Sequence, residues 1–152
     1  MTQLQPTTIS LSGFGECLPY EDNVCEIDPN TADAFGIPVV RLRLSPHDNE
    51  RAMLKDMAIA AAEMLEAIGA RNIRVRQVMR GQAHELGAAR MGTDPKQSVL
   101  NPFLQTHDIH NLFVMDGSSF PSNAWQNPTL TIMALAVRST DYLLEQLRQG
   151  TL

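Results

Sequence analysis

The residues best suited to chemistry fall in the second half of this 152-residue chain. His84 lies in the segment GQAHELGAARMG, residues 81–92, whose small side chains let backbone approach a ligand closely. A histidine there can serve as a general base near neutral pH or can be structural, and its neighbours leave both roles open. A second group follows in DGSSFPSNAWQNPTLTIMALAVR, residues 116–138. Asp116-Gly117 is a turn signal closing the apolar run Leu112, Phe113, Val114 and Met115. Asn127-Pro128-Thr129 has the form of a helix start, with Asn as N-cap and Pro at the first helical position. The unpaired N–H groups and partial positive charge of such an end suit an anion or an electron-rich carbonyl. His47, His107 and His110 lack the helical pairing or carboxylate partners of a metal site, and they read as solvated or structural.

These groups need elements to hold them. Residues 112–115 read as a buried strand, and Ile132, Met133, Leu135, Ala136 and Val137 as a helix apolar nearly all round, hence buried. Upstream, Met53, Leu54, Met57, Ala61, Met64, Leu65 and Ile68 follow helical spacing after Ser45-Pro46, which has the form of an N-cap and first-turn proline, and Gly69 is the natural stop. Val40-Arg41-Leu42-Arg43-Leu44 alternates like a strand with one face on a core and a solvated arginine row. Shorter strands are expected around Ile9 and Leu11, at residues 24–27, and around Ile73, Val75 and Val78.

Composition narrows the classes. A net charge of −5 argues against nucleic-acid or acidic-membrane partners. Cys17 and Cys25 match no common zinc spacing and are too few for a disulfide framework. MTQLQPTTIS has neither the basic start nor the apolar core of a signal peptide, and no apolar run is long enough to span a bilayer, so a soluble, cytoplasmic chain is the expectation.

Three ordered blocks carry a resemblance. HELGAARMGTDP from His84, SVLNPFLQTHDIHNLFVMDGSSFPS from Ser98, and NPTLTIMALAVRSTDYLLEQL from Asn127 resemble the C-terminal part of glucose–methanol–choline (GMC) oxidoreductases, on the pyranose-oxidase and sugar-dehydrogenase side. The resemblance is specific over residues 81–148 and looser over 8–80. It implies an α+β fold: the antiparallel sheet of a substrate domain with a covering helix, then the last strand and helix of an FAD domain. In domain terms, residues 1–80 would end the substrate-binding domain, and 81–152 would carry the active-site motifs and the last part of the FAD-binding domain.

The family implies FAD-dependent oxidation of a sugar or alcohol hydroxyl. By motif position, His84 corresponds to the histidine that accepts the hydroxyl proton while hydride moves to flavin N5. Asn127 corresponds to the position that hydrogen-bonds the substrate oxygen. Asp116 and Gly117 match strand-end residues near the flavin's ribityl and pyrophosphate region, and Asn127, Pro128 and Thr129 match the helix start facing the pyrimidine edge. Trp125 and Gln126 are candidate substrate-facing groups, with Trp125 equally suited to stacking on a sugar ring or to packing within its loop. The family's G-x-G-x-x-G nucleotide clamp does not occur, because Gly13 and Gly15 lead into Glu16-Cys17-Leu18-Pro19 instead of a helix. A complementary chain carrying that unit is therefore an expected partner, and the fragment would be inactive without it. The alternative is a non-enzymatic scaffold or binding module.

Overall fold

The computed structural model describes residues 7–76 and 84–152. Within them the regular elements are strands β1 (Val24–Ala32) and β2 (Pro38–Arg43), helix α1 (Asp48–Ala67), a short 3-10 turn (Gly117–Ser119) and helix α2 (Thr129–Gln149).

β1 and β2 form an antiparallel hairpin in which Val24 faces Arg43 and Ile27 faces Val40. The register shifts between Ile27 and Ala32, where Pro29 has no N–H to give the ladder. The turn is built by Asp33, whose Oδ1 accepts from Phe35 N at 2.8 Å and Ile37 N at 3.0 Å, with Gly36 at φ 80. Arg41 and Arg43 both reach Glu26 across the strands, at 3.2 and 3.4 Å, in exposed pairs of small energetic weight. The arginine row is thus a solvated face, as its alternation implies. The opposite face was expected to lie on a core, yet Val40 and Leu42 are exposed. α1 makes no extended contact with this hairpin.

α1 instead packs against the chain entering it. A Cβ on Gly13 would lie 2.7 Å from Met57 Sδ, and one on Gly15 would lie 2.3 Å from Met53 Sδ. Without a Cβ at either glycine, that backbone rests directly on the methionine face; a larger residue would make the methionine side chains shift. The helix starts two residues later than Ser45-Pro46 suggests, with His47 as N-cap, because Glu50 completes a capping box with it. It ends as expected at Gly69, whose φ of 79 lets its N–H reach Glu66 O. The expected strands around Ile9 and around Ile73 and Val75 are irregular backbone, since no neighbouring strand offers them a ladder. Val78 lies outside the described residues.

Glu50 is a buried carboxylate, 1% exposed. Its oxygens accept from Leu18 N at 3.1 Å, Tyr20 OH at 3.3 Å and His47 N at 2.9 Å. Burial alone would raise its pKa. The backbone N–H groups of Leu18, His47 and Glu50 itself, with the Asn49 amide, outweigh that and hold the carboxyl at about 2 instead of 4.5. A depressed folded-state value stabilises the fold above the unfolded value and loses that contribution as pH falls. Glu50→Gln is therefore expected to cost about 1–3 kcal/mol at pH 7, because amide hydrogens would face buried donors. In urea titrations across pH, the gap from wild type should close between about 4.5 and about 2.

The C-terminal half is held mostly by loop packing. Leu100, Leu104 and Phe120 are the buried apolar side chains among the described residues. Isolated bridges join Met91 to Leu100, Leu100 to Thr106, and Gln105 to Phe113. The strand expected at residues 112–115 appears only as that last bridge, carried by Thr106 N donating to Leu112 O at 2.9 Å and Val114 N to Leu104 O at 3.0 Å, with no longer ladder beside it among the described residues. α2 is clamped onto this loop core. Phe103 and Tyr142 stack at 4.3 Å, Arg138 sits 4.8 Å above the Phe103 ring, and Ser139 Oγ donates to Phe103 O. The expectation that α2 is buried does not hold within this chain: Leu130 is 78% exposed, Val137 64% and Met133 61%. Its one covered stripe is too narrow for its apolar content. Among the described residues no helix is long and apolar enough to cross a membrane.

Candidate active site

Three segments that are distant in sequence meet at the Gly117–Ser119 turn. Asp116 caps the turn, its Oδ1 accepting from Ser118 N at 2.8 Å and from Ser118 Oγ at 2.5 Å. Those two bonds, the side-chain one first, hold its carboxyl below the usual range against the opposing effect of burial. Turn former is thus a role Asp116 demonstrably fills.

The segment carrying His84 zips onto this turn through alternate backbone N–H groups. Gly87 N donates to Gly117 O at 3.2 Å, Ala89 N to Ser118 O at 3.1 Å, and Met91 N to Ser119 O at 2.8 Å. Gly117 is where the segments come closest. A Cβ there would lie 2.5 Å from Leu86 Cδ2 and 3.4 Å from Ile132 Cδ1, which belongs to the first turn of α2. One glycine therefore seats the His84 segment and the α2 start on the same spot.

His84 itself is exposed and has φ 70, a left-handed conformation, with Gly87 at 90 and Ala88 at 72 just beyond. Histidine visits that region more readily than bulky or β-branched residues, and non-glycine residues held there cluster at functional sites. Gly81, Gln82 and Ala83 lie outside the described residues.

The start of α2 differs by one residue from the expectation. Pro128, buried, is the N-cap with no side-chain capping bond, and Ile132 N donates to Pro128 O at 3.0 Å. Asn127 is therefore not the cap. Its amide is exposed and hydrogen-bonds to no other described residue, and the same is true of the His84 imidazole. Among the described residues no side chain accepts from the first N–H groups of α2, from Thr129 onward.

Asn127, Gln126 and Trp125 line an open depression of about 440 Å³ together with Phe14 from the far end of the chain. Trp125 is 65% exposed, so it is not packed into its loop. Asn123 Nδ2 donates to Gln126 O at 3.2 Å and shapes that loop. Phe14 escaped sequence reasoning, and its only signal is its place between the two glycines that press on α1.

The other histidines are structural where they can be followed. His47 stacks on Tyr20 at 3.8 Å and meets Asp22 at 3.0 Å beside a second, polar depression. His107 Nε2 lies 3.0 Å from Ser98 Oγ.

With this geometry in place, similarity to known proteins is informative. The family model for the C-terminal domain of GMC oxidoreductase matches residues 19–136. A 2-methyl-1,2-propanediol dehydrogenase from Mycolicibacterium austroafricanum is 42% identical over 133 residues, 86% of this chain and 24% of that protein. The gluconate 2-dehydrogenase flavoprotein of Pantoea cypripedii is 31% identical over 91% of this chain and 24% of its own length. For the fructose dehydrogenase large subunit of Gluconobacter japonicus the figures are 32%, 89% and 25%. The chain thus spans about a quarter of the length of these curated relatives. The match runs from the segment before β1 into the first half of α2, a span that takes in both the His84 segment and the Asp116 turn, and the chain belongs to the GMC oxidoreductase family.

Proposed function

We propose that this chain carries the substrate side and the flavin-ring side of an FAD-dependent oxidoreductase that converts a sugar or alcohol hydroxyl to a carbonyl. The observation that carries the reading is the junction at Gly117, which joins the His84 segment to the α2 start beside Asn127, whose amide bonds to no other described residue.

The residues present fit a flavin. The α2 N-terminus has N–H groups that no side chain caps among the described residues, and a partial positive charge, suited to an electron-rich carbonyl edge. Pro128 and Thr129 would hold that edge, while Asp116 and Gly117 would meet the ribityl and pyrophosphate region. A bound flavin supplies the hydride acceptor. The chain's own residues do the rest. His84 takes the hydroxyl proton as the C–H hydride departs, so the substrate loses two electrons and two hydrogens and leaves as a carbonyl compound. The Asn127 amide donates to the substrate oxygen and orients it; unlike histidine it does not compete as a base. Backbone N–H groups at the α2 start stabilise negative charge developing opposite them.

Activity on this reading also requires the G-x-G-x-x-G nucleotide-binding unit, whether joined to these residues or separate. The exposed apolar side chains of α2, Leu130, Met133 and Val137, support a covering surface. Visible absorption spectra test the proposal. Flavin bands are expected when the chain is produced with the nucleotide-binding unit, bleaching on addition of an oxidisable sugar or alcohol. A flavin-free product from the chain produced with the nucleotide-binding unit would leave the motifs as scaffold and remove the oxidoreductase reading.

A further inference from the structure

The depression beside Asn127 has a wall that no motif announces. Phe14 and Trp125 come from opposite ends of the chain, are 67% and 65% exposed, and both line it with Gln126 and Asn127. The aromatic ring contacts among the described residues pair Tyr20 with His47 and Tyr142 with Phe103 and Phe113. Phe14 and Trp125 therefore border the depression without stacking on each other. At about 440 Å³ it falls in the range of small-molecule sites, roughly 300–1,000 Å³.

Phe14 is held there by its neighbours. Gly13 and Gly15 both lie against the α1 methionines. Phe14, between them, is exposed. The glycine pair thus aims an aromatic ring away from the core. That arrangement has no packing purpose inside this chain, since Phe14 is two-thirds exposed.

We propose that Phe14 is a specificity-determining residue, which together with Trp125 forms two apolar walls that grip the C–H faces of a ring-shaped sugar or alcohol. This deepens the function proposed above and rests on it. The Asn127 amide, lining the same depression, takes the reacting oxygen, the Gln126 side chain offers further hydrogen bonds to ring hydroxyls, and the aromatic rings bind the carbon skeleton. Rings with continuous C–H faces gain from both walls, whereas short open-chain diols gain little. Because the walls touch parts of the substrate that do not react, they bind ground state and transition state alike.

The test is steady-state kinetics of the flavin-loaded enzyme with a cyclic sugar and with a short open-chain diol. Phe14→Ala is expected to raise KM for the cyclic substrate about tenfold with kcat nearly unchanged, and to leave the diol's KM within about twofold. Phe14→Tyr, which keeps the ring, should restore the cyclic substrate's KM. An unchanged unfolding midpoint for Phe14→Ala would separate the effect from misfolding. Equal KM for wild type and Phe14→Ala on the cyclic substrate would overturn the proposal, as would an equal rise for both substrates. If flavin bleaches with sugar while Phe14→Ala is silent, the aromatic wall alone is lost. If no flavin binds at all, the underlying reading fails with it.

Discussion

Replacing His84 should lower the kcat of the flavin-loaded enzyme by about 10²–10⁴-fold while leaving its flavin spectrum unchanged. The choice of replacement decides what the result means. His84 has φ 70, so His84→Ala adds backbone strain to the loss of the imidazole. Asparagine tolerates the left-handed region well and has no basic nitrogen. His84→Asn should therefore fall as far as His84→Ala if proton transfer is the residue's role. If backbone conformation were its whole contribution, His84→Asn would retain most activity. Stopped-flow reduction of the flavin reports the step directly, and partial recovery of His84→Ala by added imidazole would point to the missing base. The exposure of His84 favours such rescue, because a small base can reach the vacated space.

Asn127→Asp is expected to separate activity from stability in opposite directions. Aspartate is as good an N-terminal residue for a helix as asparagine, and a negative charge beside the first turn of α2 stabilises it by about 0.3–1 kcal/mol at low salt. The unfolding midpoint should therefore hold or rise slightly. Turnover should instead drop by about 10²–10³-fold, because the amide donor to the substrate oxygen is replaced by a carboxylate that repels the charge developing there. A residue serving only to start α2 would show no loss on this change. The geometry already points away from that role, since Pro128 takes the cap position and the Asn127 amide is exposed and bonds to no other described residue. Thermal unfolding and kcat measured on one preparation decide it, and Asn127→Ala should share the kinetic loss without the gain in stability.

What was legible in the chain divides along the range of the interactions involved. The helix Asp48–Ala67 was readable because its apolar spacing and its Gly69 stop are local, and its register depends on nothing distant. Its exact start was not, because Ser45-Pro46 is a good local signal that the Glu50 capping box overrides, and Glu50 also binds Leu18 and Tyr20 from far upstream. The hairpin was readable from alternation at residues 40–44, but not the exposure of both its faces, which reflects that neither helix lies across it.

The sequence by itself determined the family, through three ordered blocks, and with it the candidate roles of His84, Asn127, Asp116 and Gly117. Motif order survives without any knowledge of contacts. Only the tertiary structure decided that the His84 segment is zipped to the Asp116 turn, that Gly117 is the contact between Leu86 and Ile132, and that Asn127 is not the cap of α2. It also brought Phe14 to the side of Trp125. Each of these is a meeting of segments far apart in the chain. Periodicity and turn chemistry describe what a residue does to its neighbours within a few positions, while the closing of long loops is set by packing and hydrogen bonds that no local pattern records.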